Sequence, residues 1–288
     1  MYSMRCLFLR TDGTLRAGWK TALFLSASGL IEGSVRVFLR KSEILFVDIG
    51  SLQLWSFALL SLLLSWLFLS LEGRLLVSIG LRLGRQWVLQ GLAGMAGGCL
   101  LMVSVSMVIL GLNGFHWVLA PDGGLDSLGS GIGLFSAVAF REELLFRGYA
   151  FQRLVDATGD RFALGLAALY FAYAHWNNPG MTGPIQFWAL LNIALSGILL
   201  GLCYLKTRSL AMPIGLHLGW NWTQGSLLGF GVSGLHLDSF LEPVFHDRPL
   251  WLTGGPFGLE ASLPCAILSS LAIAGLVFWK PAVPLEEA

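Results

Sequence analysis

The chain has 288 residues, of which 55% are hydrophobic and only 12% are charged. A soluble domain usually carries about 25% charged residues, so this composition weighs against a soluble enzyme, a disordered tail and a nucleic-acid-binding protein. The 18 Lys and Arg residues nearly balance the 17 Asp and Glu residues, which leaves no basic surface for phosphates. With a mean hydropathy of +0.72, the sequence is typical of a polytopic membrane protein.

Apolar segments long enough to cross a bilayer recur along the chain. Because a membrane-spanning helix needs about 20 apolar residues, we predict an all-α membrane helix bundle with about eight transmembrane helices. Residues 1–288 are expected to form a single integral membrane domain. Glu32 and Arg36 interrupt the first span, which is therefore the weakest. The predicted spans are approximately 20–39, 44–71, 87–112, 128–151, 162–176, 187–205, 209–230 and 262–280.

The distribution of Lys and Arg predicts the orientation of these helices. The connecting segments 113–127, 177–186 and 231–261 contain one basic residue in total, Arg248, whereas the other short connections are basic. The positive-inside rule then places both termini in the cytoplasm, and we expect the plasma (inner) membrane. Three basic residues do not fit this topology, because it places them at the outer end of the first span: Arg36, Arg40 and Lys41.

Spans four to seven differ from the others because they carry charged and polar residues at membrane depth. Such residues are costly in a bilayer, and each marks a candidate functional site. With a helix rise of 1.5 Å per residue, the acid–base groups lie roughly 12 to 21 Å from the cytoplasmic ends of their spans. We therefore predict a catalytic core in residues 128–230. Its polar residues are Glu142, Glu143, Arg147, His175, Asn192, His217 and Asn221.

Helical phase separates these residues by role. Glu143 and Arg147 are four residues apart, so they share a helix face and are predicted to form an ion pair. Glu142 points about 100° away from that face and is free to approach another helix. The same four-residue spacing recurs on later spans, in the pairs Phe171 with His175 and His217 with Asn221.

The candidate residues suit the hydrolysis of a peptide bond. Glu142 and His175 form a candidate general-base pair that activates water. His217 and the Asn221 amide can donate hydrogen bonds to a tetrahedral oxyanion. No cofactor is needed for this chemistry, and no serine or cysteine nucleophile. Zinc stays a possible cofactor, because two histidines and one carboxylate are a known catalytic ligand set.

Three motifs resemble those of the CPBP (Abi) family of intramembrane proteases, which includes the type II CAAX prenyl endopeptidases. They are EExxxR at 142–147, FxxxH at 171–175 and HxxxN at 217–221. The resemblance covers about residues 136–225. It implies a membrane endopeptidase with the same roles for the four candidate catalytic residues, and a supporting role for Glu143 and Arg147. It also favours a glutamate-dependent reaction over a zinc-dependent one, but it does not imply prenylated substrates.

Each motif by itself has a structural interpretation. The ion pair and each histidine motif can serve as polar contacts between membrane helices, and only their combination predicts catalysis. Two further residues are predicted to support the site: Phe171 as a wall beside His175, and Asn192 through hydrogen bonds across helices.

The alternative function is that of a non-catalytic membrane protein, either a bacteriocin immunity protein or a proton-coupled transporter, using the same polar cluster. Transporters often carry inverted repeats with broken helices, which the sequence does not display. The sequence has no HExxH or GxGD motif, which disfavours site-2-type and presenilin-type intramembrane proteases. Ser130 and Ser233 have glycines nearby, but we do not interpret either as a rhomboid-type nucleophile. Expected partners are the lipid bilayer and a protein or peptide substrate in or near it. No nucleic acid is expected, and the oligomeric state stays open.

Overall fold

The computed structural model describes residues 5–41, 50–121 and 124–280. The first part of the second predicted span, 44–49, lies outside the described residues. The two chain ends, 1–4 and 281–288, also lie outside the described residues. The prediction that both termini are cytoplasmic concerns these residues and stays a prediction.

The described residues are mostly α-helical, which confirms the helical class of the prediction. The helices are α1 (Arg5–Phe8), α2 (Ala17–Lys41), α3 (Gly50–Leu71), α4 (Arg85–Gly111), α5 (Leu125–Phe146), α6 (Tyr149–Thr158), α7 (Asp160–Ala174), α8 (Gly183–Thr207), α9 (Ala211–Trp222), α10 (Leu250–Thr253) and α11 (Leu263–Phe278). A π-helical turn, Thr223–Leu227, follows α9 directly. Short 3-10 turns lie at Leu76–Ile79, Gly255–Phe257 and Leu259–Ala261.

Several helices have the dimensions of membrane spans. Among the described residues, four helices are long and apolar enough to cross a membrane, at Ala17–Phe38, Leu52–Leu71, Arg85–Gly111 and Gly183–Thr207. These helices expose large apolar side chains such as Leu63 and Leu100, which favour contact with lipid over water. The chain is therefore a helical integral membrane protein. α7, α9 and α11 are shorter, with 15, 12 and 16 residues, so the count of eight spans stays a prediction.

The fourth predicted span, 128–151, is not one continuous helix. α5 ends at Phe146 and α6 begins at Tyr149. A β-carbon at Gly148 would lie 2.2 Å from the carbonyl oxygen of Leu144, so the backbone takes this path only with glycine. The break places Arg147 directly after α5, where its side chain reaches two other elements of the site.

One small sheet was not predicted. Strands β1 (Phe115–Leu119) and β2 (Leu241–Phe245) pair in antiparallel fashion, with Phe115 opposite Phe245. Both strands lie in segments predicted as loops. Only a few residues form each strand, and the partners are far apart in the chain, so no local pattern reveals the pairing. The sheet ties the segment after α4 to the long connection before α11.

Glycines hold α4 and α9 unusually close together. A β-carbon at Gly98 would lie 2.2 Å from the carbonyl oxygen of Leu216, and one at Gly219 would lie 2.1 Å from that of Met95. Small residues allow membrane helices to approach in this way. The close packing fixes the position of α9, which carries His217.

Charged groups tie α2, α3 and α6 together. Glu72, directly after α3, lies 3.2 Å from both Lys20 Nζ and Arg153 Nη1, and it accepts a hydrogen bond of 2.5 Å from the Tyr149 hydroxyl. Burial raises the pKa of Glu72, but the Tyr149 hydrogen bond and the charges of Arg153 and Lys20 bring the pKa below its ordinary value.

Replacing Glu72 with glutamine is expected to lower the free energy of unfolding by about 1.5–3 kcal/mol near neutral pH, because hydrogen bonds to a charged group are lost. Since folding lowers the pKa of Glu72, this contribution is present above the ordinary value of 4.5 and is lost as pH falls through the folded-state value. Thermal unfolding in detergent measures it, with Glu242→Gln on exposed β2 as the control. A difference between Glu72→Gln and wild type that persists unchanged at acidic pH contradicts the expectation.

Candidate active site

Three helices bring acid–base side chains together inside the protein. Glu142 Oε2, near the end of α5, lies 3.8 Å from Nε2 of His175 and 3.9 Å from Nε2 of His217. His175 directly follows α7, and His217 lies within α9. The three side chains are only 10–15% exposed. Residues from three separate motifs therefore form one cluster.

Hydrogen bonds orient both imidazole rings. His175 Nδ1 lies 2.7 Å from the carbonyl oxygen of Phe171, and His217 Nδ1 lies 2.9 Å from Glu143 Oε1. A carbonyl or carboxylate oxygen only accepts hydrogen bonds, so Nδ1 carries a proton in each ring. The Nε2 atom of each ring is thereby directed at Glu142.

The ion pair predicted within the first motif is present and buried. Arg147 Nη1 donates to Glu143 Oε1 at 3.0 Å, and Arg147 Nη2 donates to the carbonyl oxygen of Gly197 at 3.1 Å. The two charged side chains are 1% and 0% exposed. Glu143 Oε1 also accepts the hydrogen bond from His217, which was not predicted. The pair therefore links α5 to both α8 and α9.

Phe171 lies at the centre of this arrangement. Its ring centroid is 4.6 Å from that of His175 and 6.4 Å from that of His217. The Arg147 guanidinium lies over the same ring, 4.5 Å from the centroid, in a cation–π contact. The predicted wall of His175 thus also contacts Arg147 and faces the second histidine.

The two asparagines have different surroundings. Asn221 is buried on α9, one turn after His217. Asn192 Nδ2 donates to the carbonyl oxygens of Trp188 at 3.0 Å and Ser262 at 2.9 Å. Asn192 therefore bonds across helices as predicted, but it joins α8 to the start of α11 rather than bonding to the histidines.

Sequence reasoning missed one further charged pair beside the site. Arg141 makes a two-point contact with Glu32 of α2, with Nε 3.1 Å from Glu32 Oε1 and Nη2 bonded to Oε2. Its Nη1 atom lies 3.8 Å from Glu142 Oε1. From the sequence alone, Glu32 is interpreted only as an interruption of the first span. The sequence did contain a signal for this pair, because an arginine and a glutamate in two separate apolar segments can neutralise each other.

The kinds of donor atom in the cluster, a carboxylate oxygen and two imidazole nitrogens, are ones that bind zinc. Glu142 Oε2 and the two Nε2 atoms are the possible ligands, and an acceptor engages the other nitrogen of each ring, as is usual for ligating histidines. Their arrangement, in contrast, does not match a metal site: within the ranges that the structure covers, no group of three or more His, Cys, Asp or Glu side chains is placed to hold a metal ion.

The fold and this cluster define a helical integral membrane protein with a buried glutamate–histidine site. Residues 124–223 match the family model described as Rce1-like, type II CAAX prenyl endopeptidase Rce1-like. This match confirms the resemblance predicted from the three motifs, all of which lie in the matched segment between α5 and the end of α9. Searches of curated proteins and of solved structures found no significant match.

Proposed function

We propose that the chain is a CAAX-type intramembrane endopeptidase that hydrolyses peptide bonds of proteins or peptides in or near the membrane. One observation carries the proposal: Glu142 Oε2 meets the Nε2 atoms of His175 and His217 at 3.8 and 3.9 Å. The match of residues 124–223 to the Rce1-like family supports the same activity.

Glu142 is the proposed general base. Its Oε2 atom is buried and forms no hydrogen bond with the rest of the described chain, so it can accept a proton. The 3.8 Å separation from His175 is too long for a direct hydrogen bond and short enough for one water molecule to contact both groups. His175 Nε2 accepts a hydrogen bond from this water and orients it. The water oxygen attacks the substrate carbonyl carbon while its proton passes to Glu142.

His217 and Asn221 are the proposed oxyanion donors. His217 donates from Nε2 when both ring nitrogens carry protons, and the Glu143 carboxylate then compensates the charge of the ring. The Asn221 amide follows one helical turn later and adds a second donor. When the carbon–nitrogen bond breaks, the leaving amine takes the proton from Glu142. Water is thereby added across the peptide bond.

The remaining residues are proposed to support this site. Glu143, Arg147 and Phe171 hold the two histidines, and Asn192 anchors α8 to α11. The proposal includes a catalytic core at 128–230 formed by spans four to seven of about eight. It also includes cytoplasmic termini and a location in the plasma (inner) membrane. The one-sided distribution of Lys and Arg supports this topology.

The test uses purified full-length protein in detergent, a quenched peptide library and mass spectrometry of the products. We expect cleavage by the wild type that survives a metal chelator and is lost in Glu142→Ala. Cleavage that is lost on chelation and restored by zinc would instead assign Glu142, His175 and His217 to a metal site. Absence of wild-type cleavage across the library would favour the immunity or transport alternative.

A further inference from the structure

Glu260 is a buried carboxyl group that none of the three motifs contains. It lies in the 3-10 turn Leu259–Ala261, directly before α11, and is only 7% exposed. Its Oε1 atom accepts two hydrogen bonds from Ser233, one from the backbone N–H and one of 3.1 Å from the hydroxyl. Burial of a carboxyl group is costly, so this residue contributes something that an apolar side chain would not.

Ser233 belongs to a tight turn that these hydrogen bonds stabilise. Val232 and Leu235 pair in an antiparallel bridge, and Ser233 and Gly234 between them have φ values of 51° and 82°. A left-handed backbone is unfavourable for serine, so its hydrogen bonds to Glu260 offset the cost. Glu260 therefore holds the Val232–Leu235 turn in shape.

This turn packs against the segment that follows His175. A β-carbon at Gly234 would fall 1.9 Å from the carbonyl oxygen of Pro179, so the two backbones are in direct contact. Asn178 N–H in turn donates to the carbonyl oxygen of His175 at 3.0 Å. A continuous series of contacts thus runs from the Glu260 carboxyl group, through the turn, to the backbone of His175.

The charges of His175 and His217 act on the Glu260 carboxyl group. Burial raises the pKa of Glu260, and the opposing influences of the Ser233 hydrogen bonds and the charges of His175 and His217 do not cancel this increase. Among the described residues, Glu142 and Glu143 of α5 face the two histidines. Arg141 of α5 lies beside Glu142, and Arg147, directly after α5, pairs with Glu143. Glu260 adds a carboxyl group from the segment that leads into α11.

We propose that Glu260 is a positioning residue: by holding the Val232–Leu235 turn against Pro179, it keeps His175 Nε2 directed at Glu142. The inference rests on the proposed hydrolase function and extends it to a residue outside the motifs. The role requires an oxygen that accepts two hydrogen bonds from Ser233. Glutamine supplies such an oxygen, and alanine does not.

Peptide cleavage tests the proposal through kcat and KM of Glu260→Ala and Glu260→Gln. We expect alanine to lower kcat by about 10- to 100-fold with little change in KM, because small misplacements of a catalytic group have effects of this size. Glutamine should restore kcat to within about threefold of wild type. The matched control is Ser239→Ala, which removes a buried hydroxyl bonded to the Leu241 carbonyl oxygen at 2.8 Å in the same connection. An unchanged kcat in Glu260→Ala, or an equal loss in all three variants, overturns the proposal.

Hydrogen exchange gives a readout that does not depend on activity. In the full-length protein, exchange in residues 176–182 should rise in Glu260→Ala and stay at the wild-type level in Glu260→Gln. Unchanged exchange in Glu260→Ala overturns this inference alone. Glu142→Ala is assayed in parallel, because full cleavage by that variant contradicts the proposed function and leaves the exchange result to decide the role of Glu260.

Discussion

Replacing Glu142 with glutamine is expected to lower kcat by about 10²- to 10⁴-fold, the usual contribution of a general base. Glutamine has nearly the shape of glutamate but cannot take a proton from water. Steady-state cleavage of a peptide identified from the library measures the effect.

Two controls separate this chemical role from loss of structure. Glu242→Gln makes the same change on exposed β2 and should leave kcat unchanged. The melting temperature of Glu142→Gln should stay close to that of the wild type, because the Glu142 side chain makes no close hydrogen bond within the described residues. Its oxygens lie 3.8 Å from Arg141 and His175 and 3.9 Å from His217. Activity within about tenfold of wild type in Glu142→Gln would remove this residue from the role of general base.

Replacing Arg147 with alanine is expected to destabilise the protein by about 3–5 kcal/mol, because it leaves the Glu143 carboxylate buried without its partner. Both side chains are almost completely buried. Arg147 also donates to the Gly197 carbonyl oxygen and lies over the Phe171 ring, and both contacts are lost. Thermal or denaturant unfolding in detergent measures the loss of stability.

A double variant and a surface pair sharpen this prediction. Glu143→Gln combined with Arg147→Met removes both charges but keeps an acceptor for His217, so it should regain much of the stability lost in Arg147→Ala. The exposed Arg208–Asp160 pair, 3.9 Å apart, provides the comparison: Asp160→Asn should cost no more than about 1 kcal/mol. Equal losses for Arg147→Ala and Asp160→Asn would show that burial of the pair does not matter.

The sequence predicted those features of the structure that depend on residues close together in the chain. Hydrophobicity acts on each segment separately, so the long apolar runs predicted α2, α3, α4 and α8. The i,i+4 geometry of a helix likewise predicted the Glu143–Arg147 pair from spacing alone. The break between α5 and α6 was missed because a single glycine does not by itself mark the end of a helix, and the effect of Gly148 depends on its close contact with Leu144.

The sequence by itself determined that this is a helical membrane protein, and it identified the residues of the buried cluster. Only the tertiary structure decided how these residues meet. It placed both Nε2 atoms against Glu142, made Glu143 a partner of His217, and paired Glu32 with Arg141. It also joined β1 to β2 and set Glu260 against the turn at Ser233. These contacts join residues that are distant along the chain, and helix packing, which no local periodicity encodes, sets their geometry.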